Sequence, residues 1–390
     1  MRQLVSTAGA EVVGELFFEL REIHPATLIG HGKAEEIRDQ VRSLGVDIVV
    51  VDEDLSPTQN RNLEDIFATK VVDRTGIILD IFASRARSRE GKIQVELAQL
   101  KYLLPRLSGH GREFSRLGGG IGTRGPGETQ LEADQRKVRD KISVLTDDLL
   151  GIRAHRQLHR RKREGVPLPT VSLVGYTNAG KSTLMNCLTG AGVPVEDKLF
   201  VTLDPTVRRL KLPSGREILL ADTVGFVRKL PHELIEAFQA TFEEALSSDL
   251  LLHVIDMVRP HGAGRIQIVE KVFKELGMDE KPVIRVFNKV DKDSGFFPEG
   301  VDRFPDDLVI SALRGDGREE LLKKIDQKLA ESFRQIMLMI PHASGSELSL
   351  LYATSRILER EDRREGVLLQ AEVSEKYFNK FQKFRTSRGK

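Results

Sequence analysis

Apolar residues follow two different spacings along this chain, and each change of spacing marks a new predicted region. At first, strand-length apolar runs at residues 46–51 and 69–73 alternate with helical patterns, one of which begins at the capping residue Ser56 and Pro57. Strands that alternate with helices are typical of a parallel sheet, so we predict a small α/β domain over residues 1–82. Gly30–Lys33 lacks the full spacing of a phosphate loop. A docking or scaffold role is therefore favoured for this domain over a second nucleotide site.

Beyond this domain, apolar residues recur in alternating steps of four and three. One such stripe runs from Ile93 to Leu107, and a second runs from Leu131 to Ile152. Two stripes of this kind joined by a loop predict an antiparallel coiled-coil hairpin, which we place at residues 83–165. The predicted tip, residues 108–127, contains eight glycines in twenty residues. A loop of this length inside a compact protein is usually functional or disordered.

Basic residues are concentrated on the second arm of the predicted hairpin, although the whole chain has a formal net charge of only +2. Residues 132–163 hold ten Lys or Arg against five Asp or Glu, and Arg160–Arg163 end the run. A basic run is most often a solvated face. Here it coincides with a long arm and a tip that carries Arg112, Arg116 and Arg124. We therefore predict a surface that binds RNA through shape and phosphate, and we expect no DNA partner because the sequence shows no helix-turn-helix or zinc pattern.

A strand, a glycine-rich loop and a helix follow one another after the hairpin. The apolar run Val171–Val174 leads into G-x-x-x-x-G-K-S, which is the context this motif requires. Backbone N–H groups and the helix N-terminus attract phosphate there, while Lys181 can reach the outer phosphates and Ser182 can ligate Mg²⁺. A turn that only connects strand and helix would not need that Lys and Ser. The predicted phosphate-binding residues are Gly175, Tyr176, Thr177, Asn178, Ala179, Gly180, Lys181, Ser182 and Thr183.

Two further elements complete a predicted triphosphate and Mg²⁺ site. A strand ends in D-x-x-G, where Asp222 can hold Mg²⁺ through water and Gly225 can offer its N–H to the γ-phosphate. In the preceding loop Thr202 is the preferred third metal ligand over Thr206, the alternative being an ordinary polar loop residue. The predicted site residues of these two segments are Phe200, Val201, Thr202, Leu203, Asp204, Asp222, Thr223, Val224 and Gly225.

The base of the nucleotide is predicted from two motifs near the end of the same region. An N-K-x-D follows a strand, and a carboxylate on Asp291 accepts from both the ring N–H and the amino group of guanine. Adenine would leave that carboxylate unpaired, which predicts strong discrimination. In S-A-L, the Ala312 N–H can meet the guanine oxygen. The sequence therefore predicts GTP and GDP as ligands, held by Asn288, Lys289, Val290, Asp291, Ser311, Ala312 and Leu313.

The residue after Gly225 bears on catalysis. Ras-like sequences carry a glutamine there to orient the attacking water, whereas this chain has Phe226, so we expect slow unaided hydrolysis. Asn178 stands where some GTPases without that glutamine hold a potassium ion. We predict that Lys181, Thr202, Gly225 and Asn178 act in catalysis, and K⁺ activation is a hypothesis.

Composition and the remaining pattern complete the expected organisation. At 390 residues, with 40% hydrophobic and 30% charged residues, the chain exceeds one ordinary domain. No apolar run approaches the length of about 18 residues that a membrane helix needs. The single cysteine, Cys187, fits a reducing compartment, so we expect a cytoplasmic protein. We also expect a monomer without an integral membrane segment.

We predict an α/β fold in which a Ras-like P-loop G domain occupies residues 168–333. The last helix of this domain is expected from Arg318 to Phe333. A small C-terminal α/β domain over residues 334–390 follows, with a helical face from Leu348 to Leu358 and a strand from Val367 to Val373.

The motifs together make the chain similar to the HflX family of the Obg–HflX group of GTPases. Gly125–Glu132 resembles the family's G-x-G-E-T-Q-L-E signature, and Gly175–Thr183, Thr202–Thr206 and Asp222–Phe226 resemble its G-domain motifs. Gln135 and Leu313 are two departures, since an arginine and a lysine are usual there. The resemblance covers almost the entire chain.

The resemblance implies a factor that binds the 50S subunit and splits 70S ribosomes for recycling or rescue after stress. It also implies that the hairpin tip reaches 23S rRNA in the peptidyl-transferase region. ATP binding and RNA remodelling are reported for the family, but no motif here assigns residues to them. The alternative from another class is a GTP-controlled module that binds 50S particles in assembly, or docks a partner, without splitting ribosomes. A metabolic NTPase is disfavoured because the sequence shows no second catalytic constellation.

Overall fold

The computed structural model describes residues 1–386 with gaps. The gaps are residue 21, ranges 108–129, 164–167, 193–198, 201–205, 227–243, 259–261 and 293–303, and positions 191 and 224. The chain forms two compact units, described separately below. The first comprises Met1–Arg153 with Asp197–Asp204 and Lys229–Gln239, and the second comprises the rest. Among the described residues, no helix has the length and apolar character that crossing a membrane demands.

The first unit begins with the predicted α/β arrangement. Its helices are α1 (Arg2–Thr7), α2 (His31–Leu44), α3 (Pro57–Phe67) and α4 (Arg74–Arg85). Strands β1 (Ile48–Val51) and β2 (Lys70–Asp73) pair in parallel, which confirms both predicted strands. The predicted start of α3 is also confirmed: the Ser56 hydroxyl accepts from the Gln59 N–H at 3.2 Å, and Gln59 accepts from the Ser56 N–H at 3.0 Å. This capping box stabilises the helix end by satisfying two otherwise unpaired donors.

Two long helices, α5 (Arg89–Leu107) and α6 (Gln130–Arg163), occupy the region of the predicted antiparallel hairpin. Ile93 and Leu97 of α5 form one buried cluster with Leu145 and Leu149 of α6. These are residues of the two predicted apolar stripes, so the stripes identified the contacting faces correctly. The glycine-rich tip, residues 108–127, lies outside the described residues, as does the part of the family signature that precedes Gln130.

The second unit is built on a six-stranded sheet in the order β4-β5-β3-β6-β7-β8. Strand β4 pairs antiparallel with β5, and the other neighbours pair in parallel. The parallel order brings the carboxyl ends of successive strands to one edge, where ligands bind in folds of this class. The strands are β3 (Thr170–Gly175), β4 (Thr206–Lys211), β5 (Glu217–Asp222), β6 (Leu250–Asp256), β7 (Val283–Asn288) and β8 (Leu308–Val309).

The sheet is accompanied by helices that include α7 (Lys181–Thr189), α8 (Gly262–Glu275) and α9 (Arg318–Ala330). Apolar residues of β3, α7 and α9 share one buried core with those of the neighbouring strands. The sheet confirms the predicted P-loop fold. The predicted end of the last helix at Phe333 is wrong, because α9 ends at Ala330 and Phe333 already pairs with Ser374 in the next sheet.

The C-terminal region is a three-stranded antiparallel sheet in the order β10-β11-β9. Its elements are β9 (Phe333–Pro341), α10 (Gly345–Thr354), β10 (Ser355–Arg363), β11 (Gly366–Ser374) and α11 (Glu375–Phe381). The predicted strand at Val367–Val373 is confirmed, but the predicted helical face is too long. Helix α10 ends at Thr354, and Leu358 lies at an irregularity of β10 between Ile357 and Glu359, which pair with Ala371 and Gln370 of β11. Long-range pairing of this kind overrides the local apolar spacing.

Candidate functional site

Two glycines give the phosphate loop between β3 and α7 its shape. Gly175 has a backbone φ of +148° and Gly180 has a φ of +94°, values that residues other than glycine rarely adopt. Both also lie against neighbours: a Cβ on Gly175 would collide with the Val254 carbonyl, and one on Gly180 would collide with the Asn288 side chain. The neighbouring strands β6 and β7, which contain Val254 and Asn288, therefore constrain the path of this loop.

Lys181 begins α7 and is buried, with 6% of its surface exposed. Its Nζ donates to the carbonyl oxygens of Gly175 at 3.2 Å and Tyr176 at 3.1 Å. Burial lowers the pKa of Lys181 to about 8, an effect that the Asp222 carboxylate opposes. The loop thus holds a desolvated cation, which strengthens its attraction for an anionic ligand.

Ser182 and Asp222 are brought together as the motifs predicted. The Ser182 hydroxyl donates to Asp222 Oδ2 at 2.7 Å, and Asp222 is fully buried. The contact follows from the register of β3 and β5, in which Leu173 lies opposite Asp222. A hydroxyl and a carboxylate are hard oxygen donors, which is the ligand chemistry that Mg²⁺ prefers.

The loop that should supply a third ligand is only partly described. Val201, Thr202, Leu203 and Asp204 lie outside the described residues, so the role of Thr202 stays a prediction. Phe200 is described within the first unit, where its ring packs edge-on against Phe82 of α4 at 4.7 Å between centroids. Phe200 is 2% exposed, so its side chain is part of a hydrophobic core.

The D-x-x-G segment lies directly on the phosphate loop. The Thr177 N–H donates to the Phe226 carbonyl at 2.7 Å, and the Phe226 N–H donates to the Gly175 carbonyl at 3.0 Å. The Thr223 hydroxyl donates to the Leu173 carbonyl at 2.6 Å, while Val224 lies outside the described residues. The Phe226 side chain is 1% exposed and packs against Phe273, so it is part of the core.

The predicted base-binding motifs converge at the ends of β7 and β8. Asn288 bridges two of them, since its Nδ2 donates to the Ala179 carbonyl and its Oδ1 accepts from the Ala312 N–H, each at 2.9 Å. The Ser311 hydroxyl donates to Asp291 Oδ1 at 2.6 Å and lowers the pKa of that carboxyl. Val290 begins a short 3₁₀ turn with Asp291, and Leu313 is 71% exposed. A charged, oriented carboxylate is therefore held at this position.

Asp256 is a site residue that the sequence reasoning missed. Lys289 Nζ donates to Asp256 Oδ2 at 3.0 Å and to the Asn178 carbonyl at 2.8 Å, so Lys289 links β6 with the phosphate loop. Asp256 ends the buried strand β6 beside Asn288 of β7. An acidic residue at the end of an apolar run was a visible signal, but its partner becomes evident only from the order of the strands.

Four protein-family models match consecutive parts of the chain. They are "GTP-binding GTPase N-terminal" at residues 1–83, "GTP-binding GTPase Middle Region" at 85–163, "50S ribosome-binding GTPase" at 170–289 and "HflX C-terminal domain" at 300–384. Together they match the chain from its first residue to residue 384 with only short gaps.

Individual relatives match over similar lengths. A "GTPase HflX" from Caldanaerobacter subterraneus is 50% identical over 96% of this chain and 86% of its own length. The "GTPase HflX" from Escherichia coli is 44% identical over 91% of this chain and 84% of its own length. A GTP-binding protein from Sulfolobus solfataricus, solved in complex with GDP, is 27% identical, covers 84% of this chain and 94% of its own, and has a TM-score of 0.45.

The sequence relatives and the site agree. The phosphate loop, the D-x-x-G segment and the base-binding motifs meet at one edge of the sheet, and the relatives that match nearly the whole chain are GTPases. The chain belongs to the GTPase HflX family and is a P-loop enzyme that hydrolyses GTP.

Proposed function

We propose that this GTPase binds the 50S subunit and, in its GTP state, splits 70S ribosomes in the cytoplasm for recycling or rescue after stress. The observation that carries the proposal is the connection between α6 and the nucleotide site. Helix α6 extends from Gln130 to Arg163, and β3, which leads into the phosphate loop, begins at Thr170. A long helix joined so closely to a GTPase site suits a role in which nucleotide state controls an RNA-binding arm.

The exposed basic side chains of α6 support an RNA partner. In the described part of this helix, Arg136, Lys137, Arg139 and Lys141 are all exposed. Contacts of such residues with phosphates are independent of base sequence. The partner proposed for the glycine-rich tip is 23S rRNA, and the protein is proposed to act as a monomer.

Each residue of the nucleotide site has a proposed task. Lys181 binds the outer phosphates, Gly225 offers its N–H to the γ-phosphate, and Asp291 accepts from guanine. Ser182 and Asp222, with Thr202, would hold Mg²⁺, which neutralises charge on the phosphates when bound. The fit rests on the adjacent Ser182 and Asp222 oxygens, 2.7 Å apart. Because Phe226 is buried and cannot orient water, another group has to assist hydrolysis.

The splitting proposal is tested with purified 70S ribosomes in sucrose gradients. The protein with a non-hydrolysable GTP analogue is expected to increase free 30S and 50S subunits, whereas the protein with GDP serves as the control. If the protein sediments with 50S particles but leaves 70S ribosomes intact, it is a GTP-controlled 50S-binding module and the splitting proposal is wrong.

Replacement of Arg160–Arg163 by glutamine is expected to weaken RNA binding and flatten its salt dependence. Counterions are released only from phosphates that a basic side chain neutralises, so the slope of log affinity against log salt should fall by about 3 in magnitude. Filter binding at several salt concentrations measures this slope.

The control for that experiment replaces Arg360 and Arg363 by glutamine. Both are exposed on β10, where they pair with Asp362 and Glu361 at 2.8 Å and 2.9 Å. This control should leave the slope unchanged. An unchanged slope in the Arg160–Arg163 variant as well would mean that the basic run only faces solvent.

Potassium is proposed to assist hydrolysis at Asn178. This residue has φ +61° in the phosphate loop, and its carbonyl accepts from Lys289. On ribosomes, hydrolysis is expected to be at least about tenfold faster in K⁺ than in Na⁺ at equal ionic strength, since an added cation stabilises transition-state charge. Asn178→Ala should remove this difference. Equal wild-type rates in the two salts would contradict the proposal.

A further inference from the structure

Phe226 anchors the D-x-x-G segment from both its backbone and its side chain. Its N–H and carbonyl pair with Gly175 and Thr177, which extends the alignment of β3 and β5 beyond Asp222 as an isolated parallel bridge between Tyr176 and Phe226. A displacement of Phe226 would therefore break two hydrogen bonds to the phosphate loop.

Gly225, the preceding residue, lies so close to the phosphate loop that no side chain fits. A Cβ built on Gly225 would lie 2.6 Å from Thr177 Cα and 2.9 Å from Lys181 Nζ. The backbone of Gly225 is thus held next to the cation that is proposed to bind the outer phosphates. Because Gly225 and Phe226 are consecutive, the position of one determines the position of the other.

The Phe226 side chain ends in a buried aromatic cluster. Its ring meets Phe273 of α8 edge-on, with centroids 6.2 Å apart and an interplanar angle of 73°. Phe273 in turn meets the His253 ring of β6 at 5.8 Å and 64°. Phe226, Phe273 and His253 are 1%, 5% and 2% exposed. Such edge-to-face contacts are favoured by the aromatic quadrupole, so they fix ring orientation as well as burial.

His253 acts as an uncharged ring in this cluster. Burial, together with the positive charges of Arg285 and Lys181, lowers its pKa to about 3. Near neutral pH the cluster therefore remains apolar. Its packing should not change with protonation in that range.

We infer that Phe273 is a positioning residue for the GTPase reaction, because it holds Phe226 in the core and thereby keeps Gly225 against the phosphate loop. The inference rests on the role proposed above for Gly225 as the residue that meets the γ-phosphate. The described ring contacts of Phe273 are with Phe226 and His253, neither of which is among the residues proposed to bind the nucleotide. Its effect should thus be confined to ligands that carry a γ-phosphate.

The test compares a GTP analogue with GDP in the full-length protein without ribosomes. Phe273→Ala removes the anchor, so the affinity for the analogue should fall about tenfold, which corresponds to one favourable hydrogen bond, while the affinity for GDP stays unchanged. Intrinsic GTP hydrolysis should slow in parallel. Phe273→Leu keeps most of the buried volume and should give a smaller change of the same kind, and it replaces the alanine variant if that fails to fold.

Leu329→Ala is the control for a general loss of stability of this unit. Leu329 of α9 is 1% exposed in the main core of the same unit and lies outside the aromatic cluster. This variant should lower the melting temperature but keep the ratio of the two affinities. Equal losses for GDP and the analogue in Phe273→Ala, no loss for either, or a tighter analogue complex would each overturn the inference.

Gly225→Ala distinguishes the inference about Phe273 from the proposed role of Gly225 at the γ-phosphate. That variant should lose affinity for the GTP analogue more than for GDP, because its Cβ has no space beside the phosphate loop and would displace the N–H proposed to meet the γ-phosphate. If Gly225→Ala has this effect and both Phe273 variants do not, Gly225 meets the γ-phosphate but Phe273 does not position it. Ribosome splitting is not measured, so the failure of that proposal would leave the result unaffected.

Discussion

Asp291→Asn is expected to change the base that this GTPase binds. Guanine presents two donors, its ring N–H and its amino group, and we propose that the Asp291 carboxylate accepts from both. An asparagine keeps one uncharged acceptor but replaces the other by a donor, so one charge-assisted hydrogen bond is lost and the other is weakened. GTP affinity should therefore fall by about a thousandfold. Xanthosine triphosphate carries a carbonyl in place of the amino group, so its affinity should rise.

Titration calorimetry with both triphosphates measures this exchange. The Ser311 hydroxyl lies 2.6 Å from Asp291 Oδ1 and can orient the amide that replaces it. Asp291→Ala is the control, because it removes the acceptor without offering a donor, so it should weaken GTP binding without creating the gain in affinity for the xanthine nucleotide. If Asp291→Asn fails to prefer the xanthine nucleotide, Asp291 does not accept a hydrogen bond from the amino group of guanine.

Lys181→Met is expected to abolish tight nucleotide binding without destabilising the nucleotide-free protein. The cation is buried, and this burial disfavours its charge and lowers its pKa to about 8. Methionine has a similar length and no charge. The Gly175 and Tyr176 carbonyls keep backbone donors, at 3.0 Å from Phe226 and 3.2 Å from Ala179. Affinity for GDP should fall by about a hundredfold or more, since the phosphates then have no buried charged donor at this position.

Melting curves with and without GDP distinguish the two effects. The variant should melt no lower than the wild type without nucleotide, but GDP should no longer raise its melting temperature. Because the pKa of Lys181 is lower in the folded than in the unfolded protein, the unfolded state binds more protons above about pH 8. The stability of the nucleotide-free wild type should therefore rise from pH 8 towards the unfolded pKa, and this rise should be absent from the variant. A large loss of stability at neutral pH would contradict the prediction.

Contacts between residues close in sequence were the predictable part of this protein. The Ser56 capping box spans four residues, and the phosphate loop spans eight, so their residue types and spacing already specify the local geometry. The apolar stripes of the hairpin likewise repeat with the helix, so they identified the faces on which Leu97 and Leu145 meet. Base specificity was also predicted, since Asp291 lies within a four-residue motif.

The C-terminal region shows where this reasoning fails. The residues around Leu358 have helical apolar spacing, yet they form β10 because β11, a separate part of the chain, offers paired backbone groups. Spacing within one segment contains no information about such a partner. For the same reason the end of α9 was predicted too late, since the strand that begins at Phe333 depends on Ser374.

The sequence by itself determined that this protein is a GTPase, because the motifs that predict GTP binding are short and their order and spacing suffice to recognise them. Only the tertiary structure decided how those motifs are held in place. Asp256 meets Lys289 because β6 and β7 are neighbours, and Phe226 is anchored by Phe273 because α8 packs beside that strand pair. Each contact joins residues more than thirty positions apart, and the energy of packing and strand pairing selects such partners rather than any local pattern.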